Sequence, residues 1–309
     1  MAPTESGLKS KPNDQVEVPT IMRALDPEVK DAIWAAVEPL LPKPVMTHPL
    51  GCHRGRCSDR ICFEAIMTRL STGCSWEDAE RLTGNRVSDT TLRARRDEWI
   101  KAGVFDKLAK EAEEAYDKII GLDLTETAVD GSLHKSPCGG EGTGKNPTDR
   151  GKLGWKWSIL TDRVGIPIGW AIDGANRNDC VMFAPNMDAA RGRGLLLDIE
   201  TLHLDRGYDS EGVRQTCQDC NLDDVVIARK RKRGEKKAPV VASKTHTLGL
   251  RWPVERTNSW LSNFGQLRRN TDRKNLHRLA QLALAVTVLL TAKLIDWRNR
   301  WSRAVLPIR

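Results

Sequence analysis

Three acidic residues in this 309-residue chain sit where the local pattern would present a carboxylate. Asp130 ends the apolar run Ala128-Val129 and is followed by Gly131-Ser132; Asp205 ends Thr201-Leu-His-Leu and is followed by Arg206-Gly207, a sharp exit; Glu255 lies in Arg251-Trp-Pro-Val-Glu255-Arg-Thr, at a helix start. An Asp after a strand is most often a turn former or a helix cap, so any one of these alone says little. Three such acids from separate segments of a basic chain fit one chemistry. Moving a phosphodiester requires a nucleophile aligned opposite the leaving oxygen and charge stabilisation on both oxygens, which two divalent ions about 3.5–4 Å apart supply. Mg2+ prefers oxygen ligands and keeps part of its water, so one or two carboxylates per ion suffice and no histidine is required. Asp130, Asp205 and Glu255 are therefore the expected catalytic residues and metal ligands of a site that takes two Mg2+ ions, with Mn2+ as a substitute, and acts on nucleic acid.

The charge distribution points to the same partner. The net charge is +8 and the pI about 9.1. From Arg229 to Arg309 there are 20 basic and 4 acidic residues, which leaves the rest of the chain at −8. An asymmetry that large suggests a surface built for phosphate. The densest run, Arg229-Lys230-Arg231-Lys-Arg233-Gly-Glu-Lys-Lys237, falls between the second and third acids, where backbone binding outweighs the default of a solvated tail. A Gly-rich stretch, Cys138 to Gly144, is flanked by Lys135, Lys145, Arg150 and Lys152, and such a loop can close on DNA with backbone N–H groups and cations.

Other classes are disfavoured. The eight cysteines are irregularly spaced and the first 20 residues are polar, so reduced thiols in a cytoplasmic protein are expected. Cys217-Gln-Asp-Cys220 and Cys52-His53…Cys57 have partial zinc spacing, each without a clear complement, and buried thiols are the better reading. The longest apolar stretch, Leu279 to Leu290, is interrupted and short for a bilayer span, and reads as a buried helix.

The elements that must position the acids follow from pattern. Residues 1–20 are expected to be a disordered tail, 21–120 a helical domain, and 121–309 an α/β catalytic domain with basic C-terminal helices. Asp26-Pro27 caps a first helix, Ser58-Asp59 a second that Gly73 closes, and Ser75-Trp-Glu-Asp78 a short third. A fourth, from Ser88-Asp89, carries Arg93, Arg95 and Arg96 near its start. That is the layout of a helix-turn-helix, whose second element reads base edges in the major groove, and these three arginines are the expected DNA readers. From Gly121 strands appear at 128–129, 155–160 and 166–172, then helix, strand, helix and strand to about residue 228, and two helices near 251–265 and 274–301. This is a mixed α/β core. Trp155, Trp157 and Trp170 alternate as core residues; Trp252 and Trp260, beside Glu255, are assigned to the core too, the alternative being base stacking. Trp297 and Trp301 mark a tail that faces DNA or a second subunit.

Five stretches, in order, resemble bacterial insertion-sequence transposases of the insertion-sequence-five type: Val129-Asp130-Gly-Ser-Leu-His-Lys135, Gly144 to Lys152, Gly174-Ala-Asn-Arg-Asn-Asp179, Leu204-Asp205-Arg-Gly-Tyr208-Asp209 and Arg251 to Leu261. The resemblance implies a ribonuclease-H-like fold and Asp130, Asp205 and Glu255 as an Asp-Asp-Glu triad. It also places Arg251 in the signature around the last acid, where this sequence departs twice: Leu248 stands for the Tyr and Ser262 for the Lys. The phosphate contact usually given to that Lys then falls to Arg256, Arg268 or Arg269. The implied activity is DNA transposition, with Mg2+-dependent cleavage at terminal inverted repeats and strand transfer to target DNA by a homodimer, at the nucleoid and without a membrane. Three alternatives are a nuclease of the same core without strand transfer, a non-catalytic DNA-binding derivative, and a zinc-stabilised binding module.

Overall fold

A computed structural model describes residues 23–43, 55–227 and 251–304. The expected N-terminal tail, Leu248 and the basic run with Arg229, Lys230 and Arg231 lie outside the described residues.

Capping residues start the helices where the sequence places them. Asp26 accepts the Glu28 N–H ahead of α1 (Pro27–Val37). Gly73, at φ 74°, closes α2 (Asp59–Thr72). Ser75 caps α3 (Trp76–Leu82) by accepting the Asp78 N–H at 3.0 Å, and Ser88 caps α4 (Asp89–Lys101). Then α5 (Val104–Ile119) leads to the sheet. Its strands are β1 (Glu126–Lys135), β2 (Gly144–Lys145), β3 (Leu153–Thr161) and β4 (Pro167–Gly174), followed by β5 (Thr201–Leu204) and β6 (Asp224–Ile227). The helix α6 (Cys180–Arg193) joins β4 to β5, and α7 (Glu211–Asp219) joins β5 to β6. Among the described residues, three helices follow: α8 (Trp252–Ser262), α9 (Gly265–Arg268) and α10 (Asn275–Ala304).

The order across the sheet is β4-β3-β1-β5-β6, with β2 extending the β4 edge beside the start of β3. β1, β3 and β4 pair antiparallel, whereas β5 joins β1, and β6 joins β5, in parallel. β1 is longer than its sequence pattern suggests: Asp130 lies mid-strand, because β3 pairs with β1 as far as Lys135.

Alternation along the strands divides the interior at the sheet. Ala128, Trp155, Trp157, Ile159 and Trp170 face a core that also takes residues of α1, α2, α4, α5, α8 and α10. Val129, Leu160, Ile168, Leu202 and Leu204 face a second core, filled by Phe183 and Met187 of α6 and Val213 and Cys217 of α7. The first core crosses position 121, so the helical segment and the sheet share one apolar interior. The apolar run 279–290 belongs to a 30-residue helix, α10, which by length and composition could cross a bilayer. Instead Leu282, Ala285, Val286 and Leu290 are wholly buried in the first core, each Leu or Val worth about 1.5–3 kcal/mol of burial.

One buried polar cluster ties the N-terminal helices to the C-terminal segment. Asp272 receives Arg69 Nη1 at 3.0 Å and Arg96 Nη1 at 2.9 Å, with Gln266 at 3.2 Å and Gln281 completing its bonds. Burial alone would raise the Asp272 carboxyl, but His277, Arg69 and Arg96 outweigh it and hold it well below the usual carboxylate range.

Candidate active site

The parallel pairing of β1 and β5 sets Val129 against Leu204, so the next residues, Asp130 and Asp205, emerge as neighbours. Asp205 ends β5, and its carboxylate accepts the Gly207 N–H at 2.5 Å, closing the tight exit. Asp130 lies on the face of the sheet covered by α8. The β3–β4 hairpin holds that helix: the Thr257 hydroxyl donates to the Gly165 carbonyl at 2.5 Å and Arg256 Nη2 to the Val164 carbonyl at 2.6 Å. Gly165 is required twice over, by its φ of +80° and because a Cβ would lie 2.9 Å from the Pro253 carbonyl oxygen.

Glu255 sits in the first turn of α8, where the helix dipole favours an acid, with its side chain 56% exposed. Arg251 Nη2 stands between the acids, 3.3 Å from Asp130 Oδ1 and 3.5 Å from Glu255 Oε1. Asn258 Nδ2 donates to Asp130 Oδ2 at 3.0 Å, and its own Oδ1 accepts from Trp157 Nε1 at 2.8 Å. Burial pushes the Asp130 carboxyl up to about 6; Arg251 opposes that rise and Asp205 adds to it. Burial likewise lifts the Tyr208 phenol far above its usual value, with Asp179, Asp130 and Asp205 contributing from nearby.

Among the described residues no group of three His, Cys, Asp or Glu side chains converges to hold a metal ion. The structure thus brings Asp130 and Asp205 together through register and links Glu255 to Asp130 through Arg251, without closing the triad. The donors nevertheless suit a hard divalent cation: they are carboxylate oxygens, and the Asp130 carboxyl is raised by burial and by its acidic neighbour.

The expected DNA contacts divide sharply. Arg95 and Arg96 are corrected: both are 7% exposed. Arg95 binds Asp59 at 3.0 Å and Glu98 at 2.7 Å, tying α4 to α2, and Arg96 binds Asp97 and Asp272, tying α4 to the segment before α10, so both are engaged inside the fold rather than presented on its surface. Arg93 is exposed, paired with Asp89 at 2.8 Å on the surface of α4. Lys135, Lys145, Arg150 and Lys152 are exposed on or beside β1, β2 and the start of β3. Arg268 and Arg269 are exposed in the same region, since Arg269 bridges to Lys135 and the Asn270 N–H bonds the Lys135 carbonyl. Arg256 is stacked between the rings of Trp252 and Trp260, 4.5 and 4.6 Å from their centroids. Trp252 itself is 54% exposed, which corrects its assignment to the core. Ser262, at the signature Lys position, turns its hydroxyl back to the Asn258 carbonyl at 2.6 Å.

Sequence reasoning missed Asn258 and Asp179. Asn258 follows Glu255 by three positions, the spacing that puts two residues on one helix face. Asp179, paired with the buried Lys156 at 2.7 Å, packs against Gly131, where a Cβ would lie 2.5 Å from its Oδ1. Its only sequence signal was its place in the Gly174–Asp179 stretch.

An antiparallel three-strand unit continued by two parallel strands, with acids where β1 meets β5 and on the helix across them, is the layout of a ribonuclease-H-like catalytic core. Residues 121–290 match the family described as "Transposase DDE domain", and residues 29–109 match "Putative transposase of IS4/5 family". The first match covers more than half of the chain, which belongs to the DDE transposase family and has its ribonuclease-H-like fold. Among curated proteins it is similar to the "Putative transposase for insertion sequence element IS402" of Burkholderia cepacia, 38% identical over 138 residues, or 43% of this chain and 60% of that protein. It is also similar to the "Insertion element IS402 uncharacterized 16.2 kDa protein" of the same organism, 31% identical over 39% of this chain and 82% of that protein.

Proposed function

We propose that the protein binds the terminal inverted repeats of an insertion sequence, cleaves DNA at its ends and joins the freed 3′-hydroxyl to target DNA. It would do so at the nucleoid as a dimer that holds both ends. The observation that carries this reading is the β1–β5 register, which sets Asp130 beside Asp205 on the face that α8 covers with Glu255. Asp130, Asp205 and Glu255 would hold the divalent cations. When bound, such ions neutralise charge on the reacting phosphate and lower the pKa of the attacking water or hydroxyl.

The chain's own residues supply the rest. Arg251 and Asn258 donate to opposite oxygens of Asp130 and, with the Gly131 N–H, oppose the rise that burial imposes on its carboxyl. Lys135, Lys145, Arg150, Lys152, Arg268 and Arg269 give the margin of the site exposed positive charge for the DNA backbone. Arg93 is the exposed arginine of the three on α4 and the one left to meet the repeat. No Ser or Tyr nucleophile is assigned, because an activated water and then the DNA 3′-hydroxyl make the attacks.

Incubating the full chain with end DNA and Mg2+, and mapping the cut and joined strands, tests the proposal. Asp205→Asn is expected to abolish cleavage and leave end binding nearly intact. Full cleavage by that variant would overturn the triad, and cleavage without joining would favour a hydrolytic nuclease.

A further inference from the structure

We propose that Asn258 is a positioning residue that holds Asp130 for metal binding, and that Trp157 dictates which way Asn258 faces. This rests on the site assignment above. An indole N–H only donates, whereas an Asn side chain offers oxygen on one side and N–H on the other. With Trp157 Nε1 2.8 Å from Oδ1, the amide oxygen must face the indole, and the NH2 group is thereby turned to Asp130 Oδ2 at 3.0 Å. A flipped amide would set N–H against N–H and oxygen against carboxylate oxygen. Trp157 is fully buried and Asn258 is 7% exposed, so water cannot make up for either lost bond.

The arrangement constrains the acid from both ends. Arg251 donates to Oδ1 and Asn258 to Oδ2, and the Gly131 N–H also bonds the carboxyl, so its orientation is set from the strand as well as from α8. The chain of contacts runs from the core to the chemistry: Trp157 on β3, Asn258 on α8, Asp130 on β1. Asn258 also shares its helix face with Glu255, so whatever fixes the rotation of α8 over β1 serves both acids. Partners of this kind around a metal ligand typically change metal affinity 10–100-fold when removed.

The test measures Mn2+ binding to the DNA-free full chain by electron paramagnetic resonance of free Mn2+, with melting temperature recorded in EDTA. Asn258→Ala is expected to weaken Mn2+ binding by about tenfold or more. Asn258→Leu, which keeps most of the volume, should do the same without the cavity. Trp157→Phe should weaken binding in the same direction, and adding it to Asn258→Leu should cost little more, because the two act through one contact chain. Wild-type Mn2+ affinity in both Asn258 variants would overturn the inference. Should Asp130→Asn also keep wild-type Mn2+ affinity and cleave DNA, the site assignment itself falls; should Asp130→Asn lose both while the Asn258 variants bind normally, only the positioning role falls.

Discussion

Replacing Arg96 and Arg93 separately by Ala tests how α4 divides its arginines. Arg96 is 7% exposed, donates to Asp272 Oδ1 at 2.9 Å and to Asp97 Oδ1 at 2.8 Å, and lies 5.0 Å over the Trp76 ring. Removing one partner of a buried ion pair costs about 3–5 kcal/mol. Asp272 would keep Arg69 at 3.0 Å together with Gln266, Gln281 and His277, which moves the expected loss for Arg96→Ala to about 2–3 kcal/mol. At about 2–4 °C per kcal/mol for a chain of this order of size, the melting temperature should fall by roughly 4–12 °C. Arg93 is half-exposed and makes one surface pair with Asp89, so Arg93→Ala should cost under about 1 kcal/mol. Its effect should appear in binding instead, as a loss of about 1–3 kcal/mol for repeat ends if it reads a base, or a salt slope lower by about 1 if it meets phosphate. Circular dichroism melts in EDTA give the first quantity; fluorescence anisotropy with end DNA at fixed salt, below both melting transitions, gives the second. An Arg96→Ala protein that melts like wild type but loses end binding would refute the burial argument, and wild-type binding by Arg93→Ala would remove α4 as the reading helix.

Asp272→Asn should lower stability at pH 7, and its loss should shrink as pH falls. Because the folded carboxyl is depressed, its contribution is present above the ordinary carboxylate pKa and is lost as pH drops through the lower folded value; urea midpoints at pH 7 and pH 3 check this. Gly131→Ala should force Asp179 off the strand beside Asp130, costing about 1–3 kcal/mol of stability and most cleavage, read by melting and by end cleavage. Arg251→Gln leaves Asp130 and Glu255 without their shared cation; its melting temperature in EDTA should drop and its rise on adding Mn2+ should exceed that of wild type, whereas equal rises would show that Arg251 does not stand in the cation's place.

Asp205 and Glu255 were legible singly, since a strand end and a helix start leave local signals, whereas Asp130 was picked out as a strand end and lies mid-strand. The adjacency of Asp130 and Asp205 was not legible, because it lives in the register between strands about 75 residues apart, set by Val129 meeting Leu204. Part of the arginine error was avoidable: at 100° per residue Arg95 lies on the far side of α4 from Arg93, so the three could not share one groove-facing side. The burial of Arg96 was different in kind. Its partner, Asp272, is 176 positions away and has no local sequence signature. Trp252 misled for a related reason, since an aromatic at a helix start is core or surface according to what the helix lies against, and here its ring covers Arg256. The mixed α/β core was readable from strand and helix alternation, while the sharing of one apolar interior between the N-terminal helices, the sheet and α10 required the packing itself.

These contacts give the site a backbone that is assembled and a charge arrangement that is provisional. Sheet register fixes Asp130 and Asp205, and the hairpin bonds at Val164 and Gly165 hold α8. Burial, with Asp205 adding to it, raises the Asp130 carboxyl, and one guanidinium nitrogen is shared between Asp130 and Glu255. Arg251 precedes Glu255 by four residues, one helical turn, so the same turn that presents the acid presents its counter-charge. On the proposed function, loading the site is then an exchange in which Arg251 yields its position between the carboxylates, while Asn258, tied to the buried indole, stays. That difference explains why one partner of Asp130 is a half-exposed cation on a helix end and the other is a neutral amide locked in the core.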